Sequence, residues 1–471
     1  MIISAKEWKM AKRAFILMLL CAGFACVSAS AQQQLQVSNN CPYTAHSTSL
    51  ACLIPDFTTN GQGNLSGFNT TVAQVLGELP LAAPVSGVVI GFNKKLAVPE
   101  DITENLGTIL TERGNTVGKY KLFAGFTYQR FVFNTVDGTK LSDLPIVFSE
   151  PATTSANQIV GYAQNTLSAN VSQYTGILAF GLTDRIDVSA ILPVQRVSMG
   201  AGYRTALEAV VPNSTPTQHG TCPGPPTPGV CNGSTQFVGR TVAGSASGIG
   251  DLILIVKGTV FNGERSKLAA GVEARLPTGD EFNLLGSGAY GFKPYLVFSR
   301  FSGRFTPHAN AGYQWNGFSE LRLNPCLASG ACPQQPGYGP ADLRLPDTLD
   351  YSAGADFGLI ARKLSVVADL VGQRFFNAPR IIAPTQVNPT GADCTVNVCL
   401  PSTANTSLSG AALKTIGVSD GSYNVENLSV GAKWSPKGSL IFSANALIKL
   451  NNAGLRSKVV PLVGVSYRFG R

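Results

Sequence analysis

The feature that most constrains the fold is an alternation of apolar and polar residues at period two, in segments of ten or more residues. Within residues 266–279, every second residue from Leu268 to Leu276 is apolar, whereas Glu273 and Arg275 lie on the opposite face. Such alternation is typical of β-strands with one apolar face. These segments are longer than most strands of globular proteins, and their length suits a tilted strand that crosses a bilayer.

Twelve segments of this kind occur in the chain. They span residues 118–134, 162–182, 185–201, 249–262, 266–279, 288–301, 303–317, 348–361, 364–377, 423–435, 438–450 and 457–470. Tight turns and long loops connect them in alternation, which is the arrangement of an outer-membrane barrel with an even number of strands. The sequence therefore predicts an all-β fold: a transmembrane antiparallel β-barrel of about 12 strands, preceded by an irregular N-terminal segment.

Composition excludes three other classes of protein. Only 13% of the residues are charged and 8% are aromatic, which is the opposite of the composition of disordered chains. After the first thirty residues, no run of about 18 apolar residues could form a membrane-spanning helix. The net charge of +9 is not concentrated in a basic stripe, so we expect no nucleic-acid partner.

The first 31 residues have the pattern of a signal peptide. Basic residues between Lys6 and Arg13 precede a short apolar run over 14–27, and Ala29-Ser30-Ala31 offers a cleavage site. A lipoprotein anchored through Cys26 is the alternative. We expect an exported protein of the outer membrane, divided into a signal peptide (1–31), a periplasmic or plug-like segment (32–116) and the barrel (117–471).

Eight cysteines remain after removal of the signal peptide, in four close pairs. The pairs are Cys41 with Cys52, Cys222 with Cys231, Cys326 with Cys332, and Cys394 with Cys399. In an exported chain, an even number of locally paired cysteines predicts disulfide bonds. None of the three histidines lies beside a cysteine pair at ligand spacing, so we expect no metal site.

Two features fit the alternating pattern poorly. The apolar parity changes within 162–182, which predicts a β-bulge near residues 173–176. Pro294, Pro307 and Pro461 fall inside predicted strands, although proline cannot donate a ladder hydrogen bond.

The polar faces of the strands supply candidates for residues that line the lumen. They are Asp251, Lys257, Glu273, Arg275, Lys293, His308, Asn310, Asp350, Asp356 and Asp369. Both charge signs are present, so these side chains could pair and seal the interior or could line a polar path. Twelve strands lie between the sizes of filled barrels and open channels, which leaves both possibilities open.

Three motifs resemble those of known barrels. The order Gly248-Ile249-Gly250-Asp251, then Pro277-Thr278-Gly279-Asp280, then Gly286-Ser287-Gly288 resembles the outer-membrane barrel family named for the meta-pathway of phenol degradation. The C-terminal pattern with Gly464, Tyr467 and Phe469 is similar to the signal that the barrel assembly machinery reads. Residues 104–119 are similar to the segment that leads into barrels of this kind.

Two catalytic or cofactor interpretations are weaker. A dinucleotide loop would need glycine where Ile253 stands, so we expect no cofactor. Barrel phospholipases place a serine two residues from the catalytic histidine, but Asn310 occupies that position relative to His308. Because a nucleophile needs a hydroxyl within reach of its base, we expect no catalytic residues.

The family resemblance implies a channel or transporter for small, aromatic or hydrophobic solutes. The expected partners are outer-membrane lipid, the barrel assembly machinery and a small-molecule solute. Two alternatives remain: an adhesion barrel whose disulfide-stapled loops bind partners, and a lipid-modifying enzyme.

Overall fold

The computed structural model describes residues 48–53, 72, 75, 79, 90–93, 98–101, 105–150, 159–210, 238–322, 344–387, 413–436 and 439–469. The strands of the barrel are β3 (Leu122–Val136), β6 (Ile159–Gly181), β7 (Ile186–Val210), β9 (Leu252–Asn262), β10 (Ser266–Leu276), β11 (Gly291–Arg300), β12 (Phe305–Asn316), β13 (Thr348–Ile360), β14 (Leu364–Val387), β15 (Leu413–Trp434), β16 (Leu440–Lys449) and β18 (Val459–Phe469). Each remaining strand pairs with a single neighbour: β1 (Ile90–Asn93), β2 (Val98–Asp101), β4 (Thr139–Lys140), β5 (Leu144–Glu150), β8 (Val238–Ile249) and β17 (Leu455–Ser457).

The sheet closes into a barrel because β3, the first barrel strand, pairs both with the next barrel strand, β6, and with the last one, β18. Leu122 lies opposite Phe180 of β6 on one side and opposite Phe469 of β18 on the other. Every other barrel strand pairs antiparallel with its two neighbours in the ring. The prediction of an antiparallel barrel of 12 strands is confirmed, and each predicted segment overlaps one of its strands. The predicted bounds are too short for β7, β14 and β15, which extend nine or ten residues further toward the loop end.

The two ends of the barrel differ in the length of their connections. The tight turns at 182–185, 263–265, 301–304, 361–363 and 435–439 share one end, which we call the turn end. The longer connections share the opposite end, which we call the loop end. In outer-membrane barrels the short turns face the periplasm and the long loops face the exterior.

One position in the wall departs from simple pairing. β7 pairs with β9 as far as Ile191 and then with β8 from Val194 onward. β8 and β9 thus act as a single long strand that is interrupted at Gly250-Asp251. The predicted segment 249–262 covers this interruption and β9, but it does not include β8.

The outer face of the barrel is apolar, as the alternation requires. In β10, Lys267 and Ala269 are buried, whereas Val272 on the opposite face is exposed. The exposed apolar side chains of the other strands include Val256, Val260, Phe261, Leu296, Phe298, Phe357, Leu370, Val430 and Val463. Their positions form a belt that suits contact with lipid chains.

The bulge predicted near residues 173–176 does not exist. β6 pairs in continuous register with β3 and β7 through these residues. Leu167 and Val171 are buried on the same inner face as Gln173 and Thr175. The inner face itself changes from apolar toward the loop end to polar in the middle of the strand, and this change mimics a shift in parity.

The three prolines that fit the sequence pattern poorly are accommodated within the ladder. The pairing of β11 with β12 is interrupted at Pro294, but it continues in the same register on both sides. Pro294 still lies opposite Val272 of β10. Pro307 and Pro461 lie opposite Ala355 and Ala446 respectively.

Several predictions concern residues outside the described ranges. These include the signal peptide and seven of the eight paired cysteines; Cys52, the eighth, is buried. The disulfide pairing therefore stays a prediction. Within the described part of the chain, no helix combines the length and the apolar character that a membrane span requires.

Candidate functional site: the barrel interior

Residues 105–117 lie inside the barrel near its turn end, and we call them the inner segment. Their partners come from strands on all sides: Leu106 N donates to Ser365 Oγ of β14 at 2.8 Å, and Gly114 N donates to Ser299 Oγ of β11 at 3.0 Å. Val117 N donates to Asp187 Oδ2 of β7 at 2.7 Å. Because the segment has no regular secondary structure, polar side chains of the strands satisfy its backbone groups.

The charged residues of the inner segment pair with opposite charges on the wall. Lys257 Nζ lies 2.9 Å from Glu112 Oε2, and Arg113 forms a buried ion pair with Asp356. The buried Lys433 side chain donates to the backbone carbonyls of Leu106 and Thr108. Buried charges must be paired to be tolerated, so the sequence of the inner segment is matched to the polar part of the interior.

His308 is the centre of a buried cluster. Its Nε2 lies 2.7 Å from Asp369 Oδ1 and 3.0 Å from Thr111 Oγ1. Its Nδ1 lies 3.4 Å from Asp356 Oδ2, and the side chains of His308 and both aspartates are fully buried. Asn310 occupies the position of the phospholipase serine, as the sequence shows, but a hydroxyl does lie within reach of His308: that of Thr111, which comes from the inner segment rather than from the strand.

Above the inner segment, toward the loop end, the interior holds a cavity of about 310 Å³. Leu110, Thr111 and Glu112 of the inner segment form its floor. Its apolar lining includes Val75, Leu79, Phe131, Phe133, Phe375, Val425, Leu447, Leu455 and Val460. Its polar lining includes Glu273, Arg275, Lys293, Asn310, Gln314 and Asp350.

The polar lining is itself linked by ion pairs and hydrogen bonds. Lys293 Nζ lies 3.0 Å from Glu273 Oε2 and 3.0 Å from Asp350 Oδ2. Arg275 donates to Asn316 Oδ1 at 2.7 Å. These groups face the cavity with their charges balanced, which favours a solute with a polar group over an ion of either sign.

Asn310 connects the cavity wall to its floor. With its amide oriented to satisfy both atoms, its oxygen accepts from Glu112 N at 2.7 Å and its nitrogen donates to Glu112 O at 3.1 Å. The backbone of Glu112 is thereby fixed on β12, while its carboxylate faces Lys257 and the Tyr295 hydroxyl.

Asp251 has a different place from the other candidates. It is buried in the wall at the break between β8 and β9, where its carboxylate accepts from Gly279 N at 3.2 Å and from Ser287 N at 2.8 Å. The Ser287 hydroxyl donates to it at 2.6 Å. The three parts of the sequence motif thus meet at one carboxylate, which holds the connection between β10 and β11.

The ten candidates therefore separate into three groups. Those that contact the inner segment are Lys257, His308, Asn310, Asp356 and Asp369. Glu273, Arg275, Lys293 and Asp350, together with Asn310, line the cavity, and Asp251 stabilises the wall. Sequence reasoning missed Thr111, Glu112 and Arg113, although two adjacent opposite charges in a chain with few charges were an available signal.

Comparison with known proteins agrees with the resemblance drawn from the motifs. Residues 148–367 match a family model described as a putative MetA-pathway of phenol degradation. The resemblance to this family is therefore confirmed over that part of the chain. No curated protein sequence matches the chain.

Solved structures with similarity to the chain include three bacterial proteins. One is an outer membrane channel from Pseudomonas putida F1, with 11% identity, a TM-score of 0.39, and coverage of 76% of this chain and 99% of that chain. Another is a FadL homologue of Pseudomonas aeruginosa, with 10% identity, a TM-score of 0.29, and coverage of 74% and 90%. The third is the toluene transporter TodX of P. putida, with 9% identity, a TM-score of 0.27, and coverage of 77% and 91%.

Proposed function

We propose that this chain is an outer-membrane barrel that conducts small apolar or aromatic solutes. Its residues 148–367 match the family model described as a putative MetA-pathway of phenol degradation. The observation that carries the proposal is the cavity inside the closed barrel. Its volume of about 310 Å³ lies at the lower end of the range for small-molecule sites. Such sites combine a largely apolar lining with a few polar groups that fix orientation.

The arrangement of the cavity suggests how a solute would be held. An apolar or aromatic body would pack against Phe131, Phe133 and Phe375. A hydroxyl or other neutral polar group would face the linked charges around Lys293. The apolar lining lies toward the loop end, which would face the exterior, so a solute from outside would reach it first.

The inner segment would control passage toward the periplasm. It fills the turn end below the cavity, where ion pairs and hydrogen bonds to the wall hold it together with an apolar cluster around Ile109. A solute in the cavity could leave at the turn end only if this segment moved. Displacing it should therefore open a path through the barrel.

Conductance of the purified protein in planar bilayers tests this proposal. We compare the native protein with a variant in which residues 105–117 are replaced by a Gly-Ser linker of equal length, and with Glu112→Gln/Arg113→Gln, which removes both ion pairs. The proposal expects a low conductance for the native barrel and a several-fold higher one for both variants. Equal conductance in all three folded proteins would contradict a solute path that the inner segment blocks.

A lipid-modifying enzyme is the second candidate, because Thr111 Oγ1 lies 3.0 Å from His308 Nε2. Two observations count against it: Asp369 is closer to the same nitrogen, and the imidazole is fully buried. Although Thr111 lies at the cavity floor, its hydroxyl is engaged with His308 and Asp369 inside the buried cluster. We propose that the cluster fixes the inner segment, so Thr111→Val should leave any phospholipid hydrolysis by the preparation unchanged.

We further propose that the mature chain begins after Ala31 and carries four disulfide bonds. The expected result of thiol labelling is that eight thiols react only after reduction, and mass spectrometry of the mature N-terminus should give Gln32. Thiols that react in the untreated mature protein would contradict the pairing. Loops closed by these disulfide bonds would also suit an adhesion barrel. That alternative predicts that the loops bind a partner and that the conductance of the barrel does not change.

A further inference from the structure

We propose that a ring of basic side chains at the turn end binds phospholipids of net negative charge, through their head-group phosphates, in the membrane leaflet around the barrel. The basic ring consists of Lys119, Arg185, Arg265, Arg300, Arg304, Arg362 and Lys363, all of which are exposed. This inference rests on the proposed membrane location but not on the proposed solute path.

Among the described residues, the basic ring has members at four of the five tight turns and just before β3. Arg185 lies in the turn between β6 and β7, Arg265 between β9 and β10, and Lys363 between β13 and β14. Among the described residues of these tight turns and of 118–121, the exposed carboxylates are those of Asp184 and Glu264. Against these two carboxylates stand six exposed cations of the same residues and Arg300 at the end of β11, so the described part of this end is positive.

The basic side chains lie directly beside the apolar belt. Arg265 follows the exposed Phe261 by four residues, Arg304 precedes Phe305, and Arg362 follows Ile360 by two residues. The exposed fractions of Phe261, Phe305 and Ile360 are 56%, 47% and 53%. At this depth a long basic side chain extends its apolar stem along the lipid and places its charge among the head groups.

The distribution of charge favours lipid over a protein partner. A protein would contact one sector of the rim, whereas a lipid leaflet surrounds every strand at the same depth. Lipid phosphates are the anions present at that depth, and arginine pairs with phosphate through two parallel hydrogen bonds. Attraction of basic residues to anionic lipid falls off within a Debye length, so it should weaken as salt is raised.

The test compares lipids retained by the purified full-length protein after delipidation and exchange with defined lipid. Native mass spectrometry counts bound phosphatidylglycerol and phosphatidylcholine for the native protein, for Arg265→Gln/Lys363→Gln, and for Lys140→Gln/Lys458→Gln. The last pair removes two exposed lysines at the loop end and is the matched control. Heat modifiability of each variant shows that the barrel is folded.

The expected result is preferential retention of phosphatidylglycerol, reduced at least threefold in the turn-end variant and unchanged in the loop-end control. Competition by inorganic phosphate at millimolar concentration would instead indicate sites for free anions. Equal retention of the two lipids would overturn the proposal, and so would equal losses in the two variants. Binding of an acidic protein to the basic ring in the absence of phosphatidylglycerol would overturn it as well. Conductance plays no part in this readout, so the two proposals fail separately.

Discussion

Asp251 shows how much one buried side chain can organise. Its carboxylate accepts three hydrogen bonds from the connection between β10 and β11, and Arg275 Nε lies 3.9 Å away. Gly286 is required here, because a Cβ at this position would overlap Asp251 Oδ1. The motif that suggested the family is therefore explained by the construction of the wall at the break between β8 and β9.

Replacement of Asp251 by alanine should destabilise the folded barrel by about 3 kcal/mol. Hydrogen bonds to charged groups contribute about 1.5–3 kcal/mol each, and buried donors would be left without an acceptor. Urea unfolding in detergent measures the change. Asp280→Ala is the matched control, because Asp280 belongs to the same motif but is exposed. Equal stability of the two variants would show that Asp251 has no special role in the wall.

At the scale of elements, β18 closes the barrel. It pairs with β16 on one side and with β3 on the other, and the rings of Tyr467 and Phe469 are 4.6 Å apart on its outer face. Aromatic side chains are favoured at membrane interfaces, where an apolar body meets polar surroundings. The resemblance to the assembly signal gives the same residues a second role, which only assembly in cells can reveal.

Phe469→Ala should lower the amount of assembled barrel in outer membranes several-fold, while it lowers the stability of refolded protein by less than about 1.5 kcal/mol. The stability loss is small because Phe469 is partly exposed and only part of its transfer free energy is at stake. The measurements are heat-modifiable protein in membrane fractions and urea unfolding after refolding. Val463→Ala, on the same outer face, is the control and should assemble normally. Normal assembly of Phe469→Ala as well would show that Phe469 is not part of an assembly signal.

The whole molecule has two distinct surfaces, an apolar outer belt and an interior that is mostly paired and filled. Leu296, in the middle of β11, is 53% exposed on the outside, whereas Tyr295 beside it faces Glu112 on the inside. Exposed apolar residues of this number would be unfavourable in water. The belt therefore requires surrounding lipid.

Leu296→Arg should destabilise the barrel in lipid vesicles by about 2–4 kcal/mol, because a cation at mid-depth of the membrane is costly. The same change at Tyr290, exposed just beyond the loop-side end of β11, should cost about 0–1 kcal/mol, since the cost falls toward the interface. Denaturant unfolding from vesicles measures both. Costs of equal size at the two positions would contradict the placement of the belt.

The sequence by itself determined the strands, their number and their two faces. Each residue of a strand meets lipid or the interior according to its own parity, so alternation records the fold locally, and each of the twelve segments overlaps a barrel strand. Alternation wrongly predicted a bulge at residues 173–176. The residues of the inner face change from apolar to polar there, whereas the register of β6 with its neighbours stays continuous.

Only the tertiary structure decided what fills the barrel. The inner segment does not alternate, because its backbone is satisfied by side chains far away in the chain: Thr111 meets His308 across 197 residues, and Leu106 meets Ser365 across 259. The cavity exists because the inner segment closes the interior of the barrel on the side of the turn end. Asp251, in turn, contacts the two other parts of the motif, which lie 28 and 36 residues further along the chain. Contacts of this separation leave no periodic trace in the sequence, since each depends on where closure of the whole sheet places its partner.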